Sequence, residues 1–389
     1  MSKLISNCEA LNKTLDGREL SKDDACQIYQ ESQKNPSELF QIAKILRNRY
    51  KGKVVTYSRK IFFNLVNLCR DTCSYCTYKS EPAQTKLSLM SKQDVYNLAK
   101  LGKMYRCTEA LFVTGERPEQ KYQEARMWLK ENGFESTAEY LVHSSEIALQ
   151  EGLFPHTNAG NLTKSEMNEL KKTNVSLGLM LENSSERLME EGMPHQFAPS
   201  KNPKARLQVL ENAGELRIPM TTGILIGIGE TIFEIIDSIY AIKQIHEKFG
   251  HIQEIILQNF HPKLDTSMRN FPSTEEIYFK KIVALARVIM PDVNIQIPPN
   301  LSPNSYEDFL SVGINDWGGI SPLTPDYVNP EFAWPSIDTV QKKSAEAGFE
   351  FRARLPIYPE FISFVEPELR EKISEISDSR GLVKREYLT

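Results

Sequence analysis

The sequence of 389 residues is 40% hydrophobic and 25% charged, which is the usual balance of a soluble globular protein. Its formal net charge of −4 gives no reason to expect nucleic acid or an anionic membrane as a partner, and no run approaches the roughly 18 apolar residues of a membrane span. The N-terminus lacks the apolar core of a signal peptide, and six cysteines, half of them in one cluster, do not resemble a secreted disulfide framework. We therefore expect a cytoplasmic protein.

Secondary-structure patterns divide the chain into a helical start, a long alternating middle and a charged tail. Residues 1–50 are predicted as a helical extension, in which Ser21 and Asp24 form a capping-box-like start. Residues 51–365 alternate between strands and helices, and residues 366–389 are expected to form a helix and a loose end. The strand candidates, in chain order, are KVVTYSRKIFFNLVNL, EALFVTG, LFPHTNAG, VSLGLML, MTTGILIG, EIILQNFHP, NIQIPPNL and INDWGG.

The alternation in the middle of the chain indicates the fold class. Eight strand-then-helix units favour a parallel (β/α)8 barrel of the TIM type, full or nearly closed, over an open sheet. Three of the helices have start signals, at Ser91, at Thr163 with Glu166, and at Ser273 with Glu276. Polar and glycine-rich residues follow the strand candidates repeatedly, at the end where barrel enzymes carry their active sites. The sequence therefore predicts one catalytic domain with its chemistry on that rim.

Three cysteines, Cys69, Cys73 and Cys76, follow the first strand candidate in a C-x-x-x-C-x-x-C spacing. A structural zinc site needs four protein ligands, and an electron-carrier cluster would want a fourth cysteine nearby. Three thiolates on a four-iron cluster leave one iron open to bind something that is not protein. The alternatives are a zinc knuckle that borrows Cys107 or a histidine, and a merely reduced cysteine cluster.

The cysteine spacing, with the aromatic Tyr75 before the third cysteine, resembles the radical S-adenosylmethionine superfamily. The resemblance implies a 4Fe-4S cluster and S-adenosyl-L-methionine as cofactors. In that superfamily the open iron chelates the methionine part of the cofactor, and the reduced cluster cleaves the sulfonium to release a 5'-deoxyadenosyl radical. The protein positions the cofactor and excludes water.

Other rim segments match what the superfamily uses to bind S-adenosylmethionine. The resemblance assigns Gly115 and Glu116 of TGERPE to the methionine ammonium, Glu182 to the ribose hydroxyls and Arg206 to the methionine carboxylate. It assigns Gly227, in the glycine-rich GILIGIGE segment, to the adenine side. Each match has a structural alternative: glycines at strand ends are often turns, Glu182 could cap a helix, and Arg206 could be a solvated helix charge.

One family within that superfamily matches nearly the whole chain, from about Val54 to about Pro335. The segments TYSRKIFFNLVNLCRDTCSYCTY, PHTNAGNLT, IPMTTGILIGIGET, LQNFHPK and above all INDWGGISPLTPDYVNP resemble the CofG-type subunit of 7,8-didemethyl-8-hydroxy-5-deazariboflavin synthase. The resemblance implies a lyase of deazaflavin coenzyme biosynthesis. A sister radical enzyme joins the hydroxybenzyl part of tyrosine to a ribitylaminouracil. This chain would abstract hydrogen from that adduct, close the central ring and expel ammonia.

Such a substrate needs hydrogen-bonding groups for its pyrimidine edge and its ribityl chain. We assign substrate contacts to Asn158, Asn259, Asn315 and Asn329, with Trp317 as a wall for the aromatic rings. Gln258 and Asn300 are further candidates of the same kind, although the Asn and Asp residues here could equally be forming turns.

Two residues are assigned to catalysis. His156, at the end of the third strand candidate, could move a proton during ring closure or ammonia loss, or could be a hydrogen-bonded structural residue. Asp316 is the acidic residue of the INDWGG segment.

Two alternatives for the function remain open at this point. The sister enzyme that couples tyrosine to 5-amino-6-ribitylaminouracil would share the fold, the cluster and the cofactor. An iron–sulfur electron-transfer protein would carry the cluster without cleaving S-adenosylmethionine. The expected partners are the small-molecule adduct, an electron donor such as ferredoxin or flavodoxin, and the sister radical enzyme as a candidate subunit.

Overall fold

The computed structural model describes residue 6 and residues 8–388, and its centre is a parallel sheet. In this part of the chain nine strands form one sheet in the order β2-β3-β4-β5-β6-β7-β8-β1-β9, and β1 also pairs with β2. The strands are β1 Val54–Val66, β2 Glu109–Thr114, β3 Phe154–Asn158, β4 Ser176–Gly178, β5 Met220–Ile226, β6 Ile252–Asn259, β7 Asn294–Gln296, β8 Asp316–Ile320 and β9 Glu350–Arg354. The β1–β2 pairing closes strands β1–β8 into a barrel, which confirms the predicted fold class.

Helices surround the barrel and precede it. The described α-helices are α1 Glu9–Leu15, α2 Lys22–Lys34, α3 Ser37–Lys51, α4 Lys92–Met104, α5 Pro118–Lys121, α6 Gln123–Glu131, α7 Thr137–Gln150, α8 Lys164–Leu170, α9 Pro203–Glu215, α10 Ile232–Phe249, α11 Glu276–Ile289, α12 Ile337–Glu346, α13 Pro367–Ile376 and α14 Arg385–Leu388. Short 3-10 helices cover Glu186–Met189, Pro199–Lys201, Pro299–Leu301, Tyr306–Ser311 and Pro359–Phe364. Among the described residues, no helix is both long and apolar enough to cross a bilayer.

The predicted helix starts are correct in three of four places. Capping boxes begin α2 at Ser21, α4 at Ser91 and α8 at Thr163. In each, the hydroxyl of the cap residue accepts a hydrogen bond from the backbone N–H three residues later. The prediction at Ser273 is wrong, because α11 begins after Glu275 and has no side-chain cap. The Glu276 carboxylate instead accepts from Lys280, one turn further along the helix.

The ninth strand was not predicted, and it closes the bottom of the barrel. The first five residues of β1, Val54–Ser58, pair in parallel with β9. The chain after β9 lies across the N-terminal ends of the strands, where the Pro356 carbonyl accepts from Ser176 Oγ and, at 3.4 Å, from Gln253 Nε2. The segment after α13 returns to the same strand, because the Val383 N–H donates to the Ala353 carbonyl at 3.0 Å. The barrel interior is therefore sealed at this end and accessible from the other.

Candidate active site

The main cavity of the barrel has a volume of about 310 Å³ and lies at the C-terminal ends of the strands. All three clustered cysteines line it, together with aromatic side chains from several loops. Its size is at the lower end of the range for small-molecule sites in proteins. The structure therefore brings the cysteine loop and the barrel interior together in one cavity.

Neighbouring segments hold the cysteine loop through backbone hydrogen bonds. The Thr72 N–H donates to the Phe197 carbonyl at 2.8 Å, and the Ser74 N–H donates to the Pro194 carbonyl at 2.9 Å. The carbonyl of Ser74 accepts from the Met268 N–H at 3.1 Å. A loop tied on both sides in this way presents its thiols in a fixed arrangement.

Cys69 is held by the Gly-Glu segment that follows β2. The Glu116 N–H donates to Cys69 Sγ at 3.2 Å, and a Cβ on Gly115 would lie 1.9 Å from the Leu68 carbonyl oxygen. Glycine is therefore required at position 115, because the backbone of the cysteine loop passes directly over it. This contact couples the first cysteine to the second strand.

Two of the three thiols, those of Cys69 and Cys73, are held in the neutral form by burial when no metal is bound. Burial raises the pKa of Cys69 to about 11 and raises that of Cys73 further. Among the described residues, no three Cys, His, Asp or Glu side chains converge as ligands of one ion. Cys69, Cys73 and Cys76 instead face a shared cavity, as is required of thiolates that each bind a different iron of one cluster.

The Glu116 carboxylate has one oxygen bound and one oxygen free. Its Oε2 accepts from the Asn161 N–H at 3.0 Å, whereas Oε1 is buried and has no partner among the described residues. The side chain is only 6% exposed and lines the cavity. An unsatisfied buried carboxylate oxygen is costly, and a cationic ligand such as an ammonium would satisfy it.

Glu182 occupies an uncommon backbone conformation after β4. Its φ is 64°, in the left-handed region, and its N–H donates to the Gly223 carbonyl at 3.1 Å. Lys201 Nζ contacts Glu182 Oε1 at 2.6 Å, so the carboxylate is ion-paired at the cavity wall. Strained residues of this kind cluster at functional sites, where the surrounding structure fixes them.

Arg206, on α9, is buried and faces the same cavity. Its Nε donates to the Ser200 carbonyl at 3.0 Å, and its Nη1 donates to the Met180 carbonyl. No partner is found for its Nη2 among the residues that the structure describes. The backbone thus fixes the guanidinium and leaves one edge available for a ligand, which excludes the alternative of a solvated helix charge.

Of the two remaining residues assigned to cofactor binding, Tyr75 lines the cavity and Gly227 does not. The Tyr75 hydroxyl is 3.0 Å from His195 Nε2, so this histidine fixes the aromatic ring before the third cysteine. The Gly227 N–H donates to Glu230 Oε1 at 2.7 Å, and this glycine lies behind the cavity wall, where a Cβ would meet Thr274 Oγ1 at 2.2 Å.

Part of the substrate set reaches the cavity. Asn158, Gln258, Asn259 and Asn329 all line it. Asn259 Nδ2 donates to the Leu301 carbonyl at 3.0 Å, while its buried Oδ1 has no partner in the described part of the chain. These four residues therefore remain candidates for substrate contacts.

The structure does not bring the other amide candidates or Trp317 to the cavity. Trp317 is fully buried in the core outside the barrel, where its Nε1 donates to Ser344 Oγ at 3.1 Å. Asn315 is also structural, because its Oδ1 accepts from Arg287 Nη2 and from the Ile295 N–H, both at 2.9 Å. Asn300 Nδ2 donates hydrogen bonds to the Asp326 carboxylate and to a loop carbonyl.

Asp316 lies at the bottom of the barrel rather than in the cavity. Arg354, from β9, donates to it with Nε at 2.7 Å and with Nη2 at 3.0 Å, and Thr56 Oγ1 also donates to it. The carboxylate therefore holds the ninth strand. Its distance from the cysteine rim follows from its position as the first residue of β8.

His156 lines a second, smaller cavity below the first. Its Nδ1 is 2.7 Å from Ser176 Oγ, and burial lowers the pKa of the imidazole to about 4. The ring is therefore neutral at pH 7 and could accept a proton but not donate one as an imidazolium.

Comparison with known proteins identifies the family. The radical SAM superfamily matches residues 63–240. The 7,8-didemethyl-8-hydroxy-5-deazariboflavin synthase of Methanopyrus kandleri is 44% identical over 334 residues, which are 85% of this chain and 100% of that protein. The synthase of Methanocaldococcus jannaschii is 45% identical over 84% of this chain and 90% of that protein. The chain belongs to this synthase family.

Membership of the deazariboflavin synthase family makes the chain a radical SAM enzyme. The alternatives of the tyrosine-coupling sister enzyme and of an electron carrier are not favoured. The fold agrees with distant solved structures. The [FeFe]-hydrogenase maturase HydG of Carboxydothermus hydrogenoformans superimposes with a TM-score of 0.70 at 22% identity, over 93% of this chain and 86% of that one. Methylornithine synthase superimposes with a TM-score of 0.68 at 18% identity, over 88% and 97% of the chains.

Two cavity residues of this synthase were missed from the sequence. Trp334 lines the main cavity, and its buried Nε1 has no partner among the described residues. Lys60, from the middle of β1, lies with its Nζ 4.4 Å from the centre of the Trp334 ring. The available signal for Lys60 was a lysine directly before the apolar IFF run of β1. The sequence offered none for Trp334, which lies in a loop.

Proposed function

We propose that this chain converts the tyrosine-derived hydroxybenzyl adduct of ribitylaminouracil into 7,8-didemethyl-8-hydroxy-5-deazariboflavin with loss of ammonia. The observation that carries the proposal is a single cavity that joins three cysteine thiols to a barrel interior with several polar side chains, in a chain of this synthase family. A cluster on the rim and a substrate in the barrel would then share one enclosed space, from which water can be excluded.

Cys69, Cys73 and Cys76 would hold a 4Fe-4S cluster, and the open iron would face S-adenosylmethionine. When bound and reduced, this pair supplies a carbon radical that abstracts hydrogen from the substrate. The fit is supported by the shared cavity of the three thiols and by the backbone hydrogen bond to Cys69 Sγ. The protein's own part is to fix the thiols through the bonds that tie the loop.

The residues around the cysteines suit the polar groups of S-adenosylmethionine. The free Glu116 Oε1 would accept from the methionine ammonium, and the free edge of Arg206 would donate to the methionine carboxylate. Glu182, held by Lys201, would accept from the ribose hydroxyls. Tyr75 would contact the cofactor from the cysteine loop. We assign Gly227 a supporting position behind the wall rather than a contact.

On the substrate side, the buried unpartnered atoms identify the contacts that we propose. Asn259 Oδ1 would accept a hydrogen bond from the pyrimidine edge, and Trp334 Nε1 would donate one to the phenol part of the substrate. Asn158 and Asn329 would supply the other polar contacts of the cavity wall. His156 lines the smaller cavity, and its neutral ring would be a weak proton acceptor for the part of the substrate that reaches that cavity. Asp316 would act at a distance by holding Arg354, without touching the substrate.

The partners that we propose are an electron donor, such as ferredoxin or flavodoxin, and the sister radical enzyme that supplies the adduct. The FO synthase of Mycobacterium tuberculosis is 42% identical to this chain over 85% of the chain and 40% of that longer protein.

Two substrate mixtures distinguish the proposed reaction from the tyrosine-coupling reaction of the sister enzyme. The anaerobically reconstituted enzyme, with S-adenosylmethionine and a reductant, would be given either the adduct or tyrosine plus 5-amino-6-ribitylaminouracil, and the products identified by mass spectrometry. We expect deazaflavin from the adduct alone and no product from the second mixture. Formation of the adduct from tyrosine would instead assign the chain to the sister reaction.

A further inference from the structure

Below the main cavity lies a second chamber of about 110 Å³, at the closed end of the barrel. Its lining includes residues near the starts of strands, among them Glu109, the first residue of β2, and Glu254, the third residue of β6. Lys60, Asn158 and Gln296 line both spaces, so the chamber adjoins the main cavity. A ligand in the main cavity could therefore extend one arm into the chamber.

Two polar side chains of the chamber are accommodated by glycines on the neighbouring strand. A Cβ on Gly319 would lie 2.3 Å from Lys60 Cδ, and a Cβ on Gly318 would lie 1.9 Å from Gln296 Nε2. Any larger residue at either position would displace the polar side chain. The GG pair of the INDWGG segment therefore makes room for Lys60 and Gln296.

Three of these polar side chains form no hydrogen bond and no ion pair within the described part of the chain, and Lys60 contacts only aromatic rings through its ammonium. Lys60 and Glu109 are opposite each other on adjacent strands, yet in the described part of the chain neither forms an ion pair within 4.0 Å or a side-chain hydrogen bond. The Gln296 side chain also has no hydrogen bond among the described residues. Lys60, Glu109 and Gln296 are 7%, 6% and 7% exposed. None of their polar atoms is fully enclosed by protein, so these atoms are open to the chamber that the residues line, where a ligand or ordered water can satisfy them.

The remaining charges of the chamber are already paired. Arg354 Nη2 contacts Glu254 Oε1 at 2.9 Å, and Tyr358 donates to the same oxygen at 2.7 Å. His156 Nδ1 faces Ser176. What remains for a ligand is one cation, one anion and two amides, those of Gln296 and of the half-buried Asn158, all facing the same small volume.

We propose that this chamber is the subsite for the polyhydroxylated ribityl arm of the substrate, with Lys60, Glu109 and Gln296 as its ligands. The inference rests on the proposed function. A hydroxyl both donates and accepts, so successive hydroxyls satisfy a cation, an anion and an amide without adding charge. A carboxylate or phosphate would be repelled by Glu109, and an aromatic ring would leave all three groups unpaired. The aromatic and pyrimidine rings then stay in the main cavity, beside Trp334.

Paired ligands and paired variants test the subsite. The adduct and a matched adduct, with methyl in place of ribityl, would be titrated into unreduced holoenzyme with S-adenosylmethionine bound, so that binding is measured without turnover. We expect the wild type to bind the ribityl adduct at least tenfold more tightly. Lys60→Met and Gln296→Leu should each weaken the ribityl adduct by about tenfold to a hundredfold, and the methyl adduct by less than twofold. Lys130→Met, at an exposed position of α6, is the matched control and should bind both adducts as the wild type does.

The possible results test the ribityl subsite and the proposed reaction separately. Equal weakening of both adducts in the variants, or equal affinity of the wild type for both, overturns the subsite. If the wild type still converts the ribityl adduct to deazaflavin after reduction, the proposed function stands while the subsite falls. If the wild type neither binds nor converts the ribityl adduct, both proposals fall.

Discussion

Replacing Glu116 by glutamine tests whether this buried carboxylate binds the methionine ammonium. Glutamine has nearly the same shape, and its carbonyl oxygen can keep the bond from the Asn161 N–H, which is 3.0 Å long. The amide NH2 group then replaces the free Oε1 and places a donor against another donor. Because the side chain is 6% exposed, solvent screens this change little. Losing a charge-assisted hydrogen bond costs about 1.5–3 kcal/mol, which is about tenfold to a hundredfold in affinity for S-adenosylmethionine.

The assay is equilibrium binding of S-adenosylmethionine to anaerobically reconstituted enzyme, with iron and sulfide content measured on the same samples. Cluster content should be unchanged, because the bond to Cys69 Sγ comes from the backbone of Glu116. Glu124→Gln, at an exposed position of α6, is the control and should bind normally. A cofactor analogue without the amino group should bind wild type and Glu116→Gln equally. Wild-type affinity of the variant for S-adenosylmethionine, or an equal loss for both ligands, would refute the assignment.

Three further predictions follow from the geometry of the cavity and of the core. Cys73→Ala should lose the iron–sulfur cluster and Cys107→Ser should keep it, by iron and sulfide analysis, since Cys107 is buried away from the cavity; a full cluster in Cys73→Ala would contradict the ligand set. Trp317→Ala should lower the free energy of unfolding by about 3–5 kcal/mol in denaturant titrations, because the ring is fully buried in the core; wild-type stability of the variant would contradict this packing role. Burial, only partly offset by a nearby arginine, raises the pKa of Glu254 from 4.5 to about 7, so its stabilising effect is complete below pH 4.5 and is lost as the pH rises through 7. Glu254→Gln should therefore flatten the pH dependence of unfolding in that window, by up to about 1.4 kcal/mol per pH unit, and an unchanged slope would refute the shift.

The barrel could be predicted because its strands and helices alternate with clear start signals. The ninth strand could not, since the sequence EFRAR is short and half polar and pairs only with the early part of β1. That omission had a consequence for the site. Because β9 was not predicted, there was no sign in the sequence that Arg354 forms an ion pair with Asp316 at the bottom of the barrel.

The cysteine rim was predictable because residues after parallel strands gather at one end of a barrel. The INDWGG segment led to wrong site assignments for Asp316 and Trp317, and the reason is physical. Trp317 packs outward, where its Nε1 donates to Ser344, and of the two glycines after it only Gly319 lines the cavities. Lys60 and Glu109 were missed because they lie within or at the start of strands, and only the closed barrel brings them to one chamber.

The most direct test of the central claim is the product balance of one anaerobic reaction with the adduct. The reduced enzyme and S-adenosylmethionine should yield deazaflavin and ammonia in equal amounts, with at least as much 5'-deoxyadenosine. Reduced enzyme that cleaves S-adenosylmethionine in the presence of the adduct, yet forms neither deazaflavin nor ammonia, would contradict the assignment of this reaction to the chain.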